Sequence, residues 1–197
     1  MNLLTVTNLS AGYAGKQVIK DIGFFVAPKT IVGILGANGC GKTTLIKAIA
    51  NLLPHTGSCQ LDDTYLENAS PKQLALLCGY IPQKSGISID LTLLDVVLMG
   101  FNPKLSLLQS PTEQMKKEAF DALCSVGLGS RKDDNFQQLS EGQKQLCLLA
   151  RTFVLKRRLL LLDEPESALD FRLRYEMMGL LRTYVTKNNA AALVPLH

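Results

Sequence analysis

The chain has 197 residues, 47% of them hydrophobic, and a formal net charge of +4. That length supports one well-buried core with an insertion, and the mild, scattered charge argues against a nucleic-acid footprint. The dense basic cluster Lys156-Arg157-Arg158 reads as a solvated turn. Apolar runs fall short of the ~20 residues that span a bilayer, and the N-terminus lacks the basic flank and long apolar core of a signal peptide. A soluble, cytoplasmic chain is therefore expected. Cys40, Cys59, Cys78, Cys124 and Cys147 are odd in number and form no CxxC pair, which argues against a disulfide framework or a zinc site. Most of them are expected to be small, reduced core residues.

In chain order, residues 3–9 alternate apolar and polar as a half-buried strand does, and residues 12–15, with Tyr13 among them, supply the turn after it. Residues 18–26 read as further strand, broken near Asp21. Pro28 and Lys29 then turn the chain into the apolar run 31–35, expected to be a buried strand. Directly after it stands Gly36-Ala37-Asn38-Gly39-Cys40-Gly41-Lys42-Thr43, followed by Thr44 and an apolar helical pattern. A glycine-rich loop between strand and helix, ending in Lys-Thr, has the form of a phosphate-binding P-loop. Its glycines let backbone N–H groups and the positive helix end face a polyphosphate. Lys42 then reaches the β- and γ-phosphates, and the Thr43 hydroxyl ligates Mg²⁺.

Residues 51 and 54–57 close that helix, and a short strand is expected at 58–61. Ser70-Pro71-Lys72-Gln73 has the form of a capping box, and residues 78–82 read as a strand with Gln83 immediately after it. From 84 to 158 the pattern is helical. Residues 92–99 form one candidate helix. Ser110-Pro111-Thr112-Glu113 reads as a second capping box, opening a helix with Met115, Ala119, Leu123 and Val126 on one face and Gly127 and Gly129 as its stop. Ser140-Glu141-Gly142-Gln143 reads as a third. Its hydroxyl and backbone N–H groups at a positive helix end make a second anion site, so one polypeptide carries two.

Leu159–Leu162 is a solid apolar run ending in Asp163-Glu164, as expected of a strand buried on both faces with acids at its ligand-binding end. Beside a P-loop, Asp163 faces the metal and Glu164 orients or deprotonates the attacking water. A reading in which the two acids only cap the next helix is the weaker one once the P-loop is present. A further helix at 171–186 and a buried strand at 190–196 complete the pattern.

The P-loop, then Leu139-Ser140-Glu141-Gly142-Gln143, then the run ending in Asp163-Glu164-Pro165, then Ser167-Ala168-Leu169-Asp170, in this order, closely resemble the nucleotide-binding subunit of ATP-binding cassette transporters. The resemblance covers essentially the whole chain. It implies an α/β fold: a P-loop NTPase core with a mostly parallel sheet, an antiparallel β element near the N-terminus and an inserted α-helical subdomain. The expected organisation is one ATPase domain over 1–197, with the core at 1–83 and 159–197 and the helical subdomain at 84–158.

The resemblance further implies ATP and Mg²⁺ as cofactors. Tyr13 looks like the residue that stacks on adenine, with Val18 as apolar support, and the loop continues its nucleotide contacts into Thr44. Gln83 looks like the lid glutamine that senses Mg²⁺ and the γ-phosphate while touching the membrane partner. Asp170 looks like the link between the two sites of a dimer, and His197 like the switch histidine near the γ-phosphate. In the family two subunits pack head to tail, so Ser140, Gly142 and Gln143 of one cover ATP on the P-loop of the other. Glu141 stands where the family often has Gly, an acid favourable in a first helical turn.

Segment 84–158 resembles the part that docks on transmembrane permease subunits. Residues 94–103 together with 70–83 look like the branch importing iron–siderophore complexes, haem and cobalamin, in which a substrate-binding protein is an indirect partner and the subunit sits on the cytoplasmic face of the membrane. Family members continue past the switch histidine, whereas this sequence stops on it. A truncated chain is therefore expected, with its last strand a sheet edge and Pro195 awkward within it. Two other functions fit less of the sequence: a nucleotide-binding module that does not hydrolyse, and a soluble non-transport cassette ATPase.

Overall fold

The computed structural model describes residues 2–83, 86–106, 108–165 and 169–196. Leu4–Tyr13 (β1) and Lys16–Val26 (β2) form an antiparallel pair that turns at Ala14 and Gly15, both with positive φ. Tyr13 is thus the last strand residue, just before the turn. Asn8 and Asp21 lie in the left-handed region, and Asn8 Nδ2 donates to Asp21 Oδ1 at 2.6 Å. The expected break near Asp21 is accordingly an irregularity within one strand, which twists the ribbon without ending it. His55–Leu61 (β4) pairs with the other side of β1, and Thr64–Tyr65 (β5) completes a four-stranded antiparallel sheet of order β2-β1-β4-β5. Thr30–Ile34 (β3) precedes β4 in the chain and belongs to a second sheet.

That second sheet is wholly parallel. Cys78–Ile81 (β6), Leu159–Leu162 (β7) and Ala191–Pro195 (β8) join β3 in the order β3-β8-β7-β6. Because side chains alternate along a strand, β7 sends Leu160 and Leu162 into one apolar cluster and Leu159 and Leu161 into the other. All four are fully buried, and this two-sided burial is why the run contains no polar residue.

Two expectations about the sheet are corrected. The strand before the P-loop, β3, is half-buried rather than buried, and it is an edge strand, with β6 at the other edge. The last strand, β8, is central, and each of its residues is buried. The crossover through the helix Phe171–Lys187 (α6) inserts β8 between β3 and β7. Pro195 causes no loss there. It lies opposite Ile34 at the end of β8, beyond the last pairing with β7, Leu161 with Leu193, and Leu196 N resumes the bonding to Ile34 O at 3.0 Å.

One apolar cluster lies between the antiparallel sheet, the parallel sheet and the helix Lys42–Ile49 (α1). The other joins the opposite face of the parallel sheet to α6 and to the helices Leu93–Leu98 (α3), Glu113–Ser125 (α4) and Glu141–Phe153 (α5). Pro71–Leu77 (α2) leads into β6. Its capping box is present: Ser70 Oγ accepts from Gln73 N, and Gln73 Oε1 accepts from Ser70 N at 2.8 Å. The same device, not anticipated, opens α3 between Thr92 and Asp95.

At α4 the cap is Thr112, whose hydroxyl accepts from Met115 N at 3.2 Å, and not Ser110. Starting at Thr112 keeps Pro111 outside the helix and puts Glu113 in the first turn, where an acid suits the dipole. The predicted apolar face is kept, with Ala119, Leu123 and Val126 buried, and the chain leaves the helix at Gly127 with φ +75°.

The basic cluster is also corrected. Arg157 is buried, at 8% exposure, and its guanidinium donates to the carbonyls of Ala75 (2.7 Å), Thr152 (2.9 Å) and Gly100 (3.4 Å). It ties α2, the end of α5 and the 3₁₀ turn Met99–Lys104 together. Of the cysteines, Cys59, Cys78 and Cys147 are buried, while Cys40 and Cys124 are exposed.

Candidate functional site

The loop between β3 and α1 is open to solvent from Gly36 to Cys40, and the chain re-enters the core at Lys42, which is 5% exposed. Gly39 (φ +77°) and Gly41 (φ +104°) adopt backbone conformations that disfavour a side chain. At Gly41 there is a second constraint: a Cβ would meet Ile19 Cγ2 at 2.7 Å, so the loop rests directly on β2. Cys40 N donates to Ala37 O, which turns the loop tip. Lys42 Nζ donates back to Gly36 O at 2.6 Å and so spans the loop from helix start to strand end.

A cleft of about 200 Å³ opens beside this loop, lined by Tyr13, Val18, Gly39, Lys42, Thr44 and Glu164, with Thr43 and Gly41 also contributing. Tyr13 and Val18 are both exposed at its mouth, an aromatic and an aliphatic surface next to a set of backbone N–H groups. This is the apolar-plus-anion combination that a nucleotide presents in return.

β7 delivers the acids. Asp163 N donates to Ile81 O at 2.9 Å, extending the β6–β7 ladder by one residue and fixing where the Asp163 side chain emerges. Asp163 is buried, and Thr43 Oγ1 donates to its Oδ1 at 2.6 Å, joining residues 120 apart in sequence. Tyr80 Oη donates to Oδ2 at 3.0 Å. Sequence reading missed Tyr80, since a strand tyrosine carries no signal by itself. Burial, then the neighbouring Asp163 charge, pushes the Tyr80 phenol above its ordinary value, so it remains a protonated donor.

Glu164 follows with φ +50°, a left-handed conformation rare outside glycine and asparagine. Glu164 lines the cleft, and Gln83 Nε2 donates to its Oε2 at 2.9 Å. The Gln83 carbonyl in turn accepts from Gln145 Nε2 at 2.9 Å, a buried α5 residue that sequence reading also missed.

The donor set fits the ligands that the sequence implies. A hydroxyl and a carboxylate in contact, both hard oxygen donors, suit Mg²⁺, which takes one or two protein oxygens and completes its shell with phosphate and water. The glycine cradle with a lysine ammonium suits a polyphosphate.

The signature residues lie elsewhere. Ser140 Oγ accepts from Gln143 N, and Gln143 Oε1 accepts from Ser140 N at 3.1 Å, so the predicted capping box is present. None of these residues lines the cleft beside the P-loop. Gly142 is buried against α6, where a Cβ would meet Leu173 Cδ1 at 2.7 Å. Asp170 caps α6, accepting from Leu173 N at 2.8 Å. His197, Ser167 and Ala168 lie outside the described residues.

Fold and site together define a P-loop ATPase. The profile of the ABC transporter family matches residues 19–167, and the chain belongs to that family. It is 36% identical over 200 residues to a probable iron chelatin transport ATP-binding protein of Helicobacter pylori, a match covering 99% of this chain and 77% of the relative. It is 34% identical over 203 residues to the hemin import ATP-binding protein HmuV of Bordetella parapertussis, covering 98% and 76%. Among solved structures, one described as a metal-chelate type ABC transporter in an inward-facing conformation superposes with a TM-score of 0.85 at 28% identity, over 100% of this chain and 73% of that one. The cbiO1 protein of Clostridium perfringens, part of the ABC transporter complex cbiONQ, gives 0.84 at 26% identity, covering 100% and 78%.

Proposed function

We propose that this chain is the ATP-binding and hydrolysing subunit of an importer for a metal chelate, of the iron–siderophore, haem or cobalamin kind, and that it powers a membrane permease. The observation that carries the reading is the 2.6 Å contact between Thr43 of the P-loop and Asp163 at the end of β7, which supports a MgATP site built from both elements. The names of the relatives from Helicobacter and Bordetella support the cargo class.

In this reading Tyr13 and Val18 receive the adenine. Residues 36–44 wrap the phosphates, with Lys42 neutralising their charge. Thr43 and Asp163 would hold Mg²⁺, with Gln83 beside them as a further oxygen donor. Bound Mg²⁺ supplies charge neutralisation on the phosphate oxygens. Glu164, held by Gln83, orients the attacking water and accepts its proton. Ser140, Gly142 and Gln143 act on the ATP of a second copy, to which Asp170 links them, and His197 acts at the γ-phosphate. The chain works as one domain in which segment 84–158 meets the permease, with a substrate-binding protein acting on the far side. No helix among the described residues is long and apolar enough to cross a membrane. The importer reading puts the subunit at the periphery of the membrane, on its cytoplasmic face.

Glu164→Gln tests the assignment. It keeps the size and one hydrogen-bonding oxygen but not the base, so MgATP binding persists while steady-state phosphate release falls by roughly a hundredfold or more. Normal phosphate release from that variant sinks the role given to Glu164.

A further inference from the structure

Asp163 has both carboxylate oxygens engaged, and the two donors arrive from different elements. Thr43 Oγ1, on α1, donates to Oδ1 at 2.6 Å, and Tyr80 Oη, on β6, donates to Oδ2 at 3.0 Å. Their functions must differ. Thr43 and Oδ1 form the pair that meets the cation in the reading above, whereas the phenol is a neutral donor on the opposite oxygen. The terminal torsion of an aspartate is broad, so a carboxylate held at one oxygen only is free to swing. Tyr80 removes that freedom. Its backbone is fixed too: β6 and β7 run in register with Tyr80 beside Leu161, and the ladder continues through Asp163 N to Ile81 O at 2.9 Å.

We infer that Tyr80 is a positioning residue for Mg²⁺: it holds Asp163 by Oδ2 so that Oδ1 is presented beside Thr43. Hydrogen bonds to the far atom of a ligating group orient the ligand and set its affinity for the metal. The end of β6 then supports both acids of the site, Asp163 through Tyr80 Oη and Glu164 through Gln83 Nε2. The inference rests on the MgATP reading of this cleft.

Tyr80→Phe removes one oxygen and leaves the packed ring. The measurement is ATP binding by calorimetry at increasing Mg²⁺, with a parallel series in EDTA and a thermal unfolding curve. In the variant, the Mg²⁺ concentration for half-maximal effect on ATP affinity rises roughly tenfold, while ATP affinity in EDTA stays within about twofold of the parent. In an Asp163→Asn background the same change adds no further Mg²⁺ loss, because the hydroxyl acts through that carboxylate. An unshifted Mg²⁺ midpoint overturns the inference, as does an equal loss of affinity in EDTA or an additive effect in the Asp163→Asn background. A parent protein that binds ATP with no Mg²⁺ dependence overturns the MgATP reading itself, and the assignment of Tyr80 with it.

Discussion

Gln145 donates its side-chain amide to the backbone carbonyl of Gln83 across 2.9 Å, so the helix that starts at Ser140 holds the segment whose side chain reaches Glu164. Gln145 is 6% exposed, and its Oε1 is buried without a hydrogen-bond partner among the described residues. A buried orphan acceptor costs on the order of 1–3 kcal/mol, so the position is not optimised for stability alone. Gln145→Leu removes the orphan and the link together. The expected outcome is a stability within about 1 kcal/mol of the parent, unchanged MgATP affinity and a turnover lower by roughly tenfold. Urea unfolding, nucleotide binding and phosphate release measure the three quantities, and full turnover in a folded variant would show that the link carries nothing.

Arg157 makes a contrasting prediction, since among the described residues its guanidinium donates to three neutral carbonyls and to no carboxylate. Burial lowers its pKa from the ordinary arginine value, and the nearby Arg151 adds to that, yet three acceptors from separate elements hold it in place. Arg157→Met is expected to destabilise the fold by about 3 kcal/mol, because hydrogen bonds to a charged group are lost and buried carbonyls are left unpaired. Arg157→Lys recovers little of this, since an ammonium cannot reproduce the planar fork. Urea midpoints of the two variants check the ordering.

How much of this was legible depended on whether a feature is local. The P-loop was readable because the apolar strand, the glycines and Lys42-Thr43 occupy one continuous stretch, and β7 was readable because burial on both faces leaves four leucines in a row. Sheet order was not readable. Residues 31–35 and 190–196 are similar apolar runs, and which one lies centrally depends on the crossover through α6, a tertiary choice that leaves no mark on either run. Arg157 looked like any basic turn residue, because two of its three acceptors, on Ala75 and Gly100, lie far from it in sequence. Likewise nothing at Glu164 announces its positive φ. Tyr80 and Gln145 act through partners about 80 and 60 residues away, beyond the reach of any spacing rule.

The start of α4 shows the limit within a motif. Both Ser110 and Thr112 are acceptable caps by composition, and the same apolar face follows from either. The structure uses Thr112, so Thr112→Ala is expected to cost about 1 kcal/mol and Ser110→Ala close to zero. Thermal unfolding of the two single variants distinguishes them, and an inverted order would place the cap at Ser110 after all.

The last prediction concerns the thiols. Burial pushes Cys59, Cys78 and Cys147 up to about 12, so near neutral pH they remain protonated, and they are enclosed as well. A raised thiol pKa keeps the group neutral below that value, which makes it a poor nucleophile throughout the range where the protein is handled. Cys40 and Cys124 are exposed, one in the phosphate-binding loop and one near the end of α4. Brief alkylation with iodoacetamide at neutral pH should therefore label two positions, found by peptide mass spectrometry. MgATP bound on residues 36–43 should slow labelling of Cys40 and leave Cys124 unaffected. Equal protection of both would point to a global tightening of the fold, and no protection at Cys40 would place the nucleotide away from this loop.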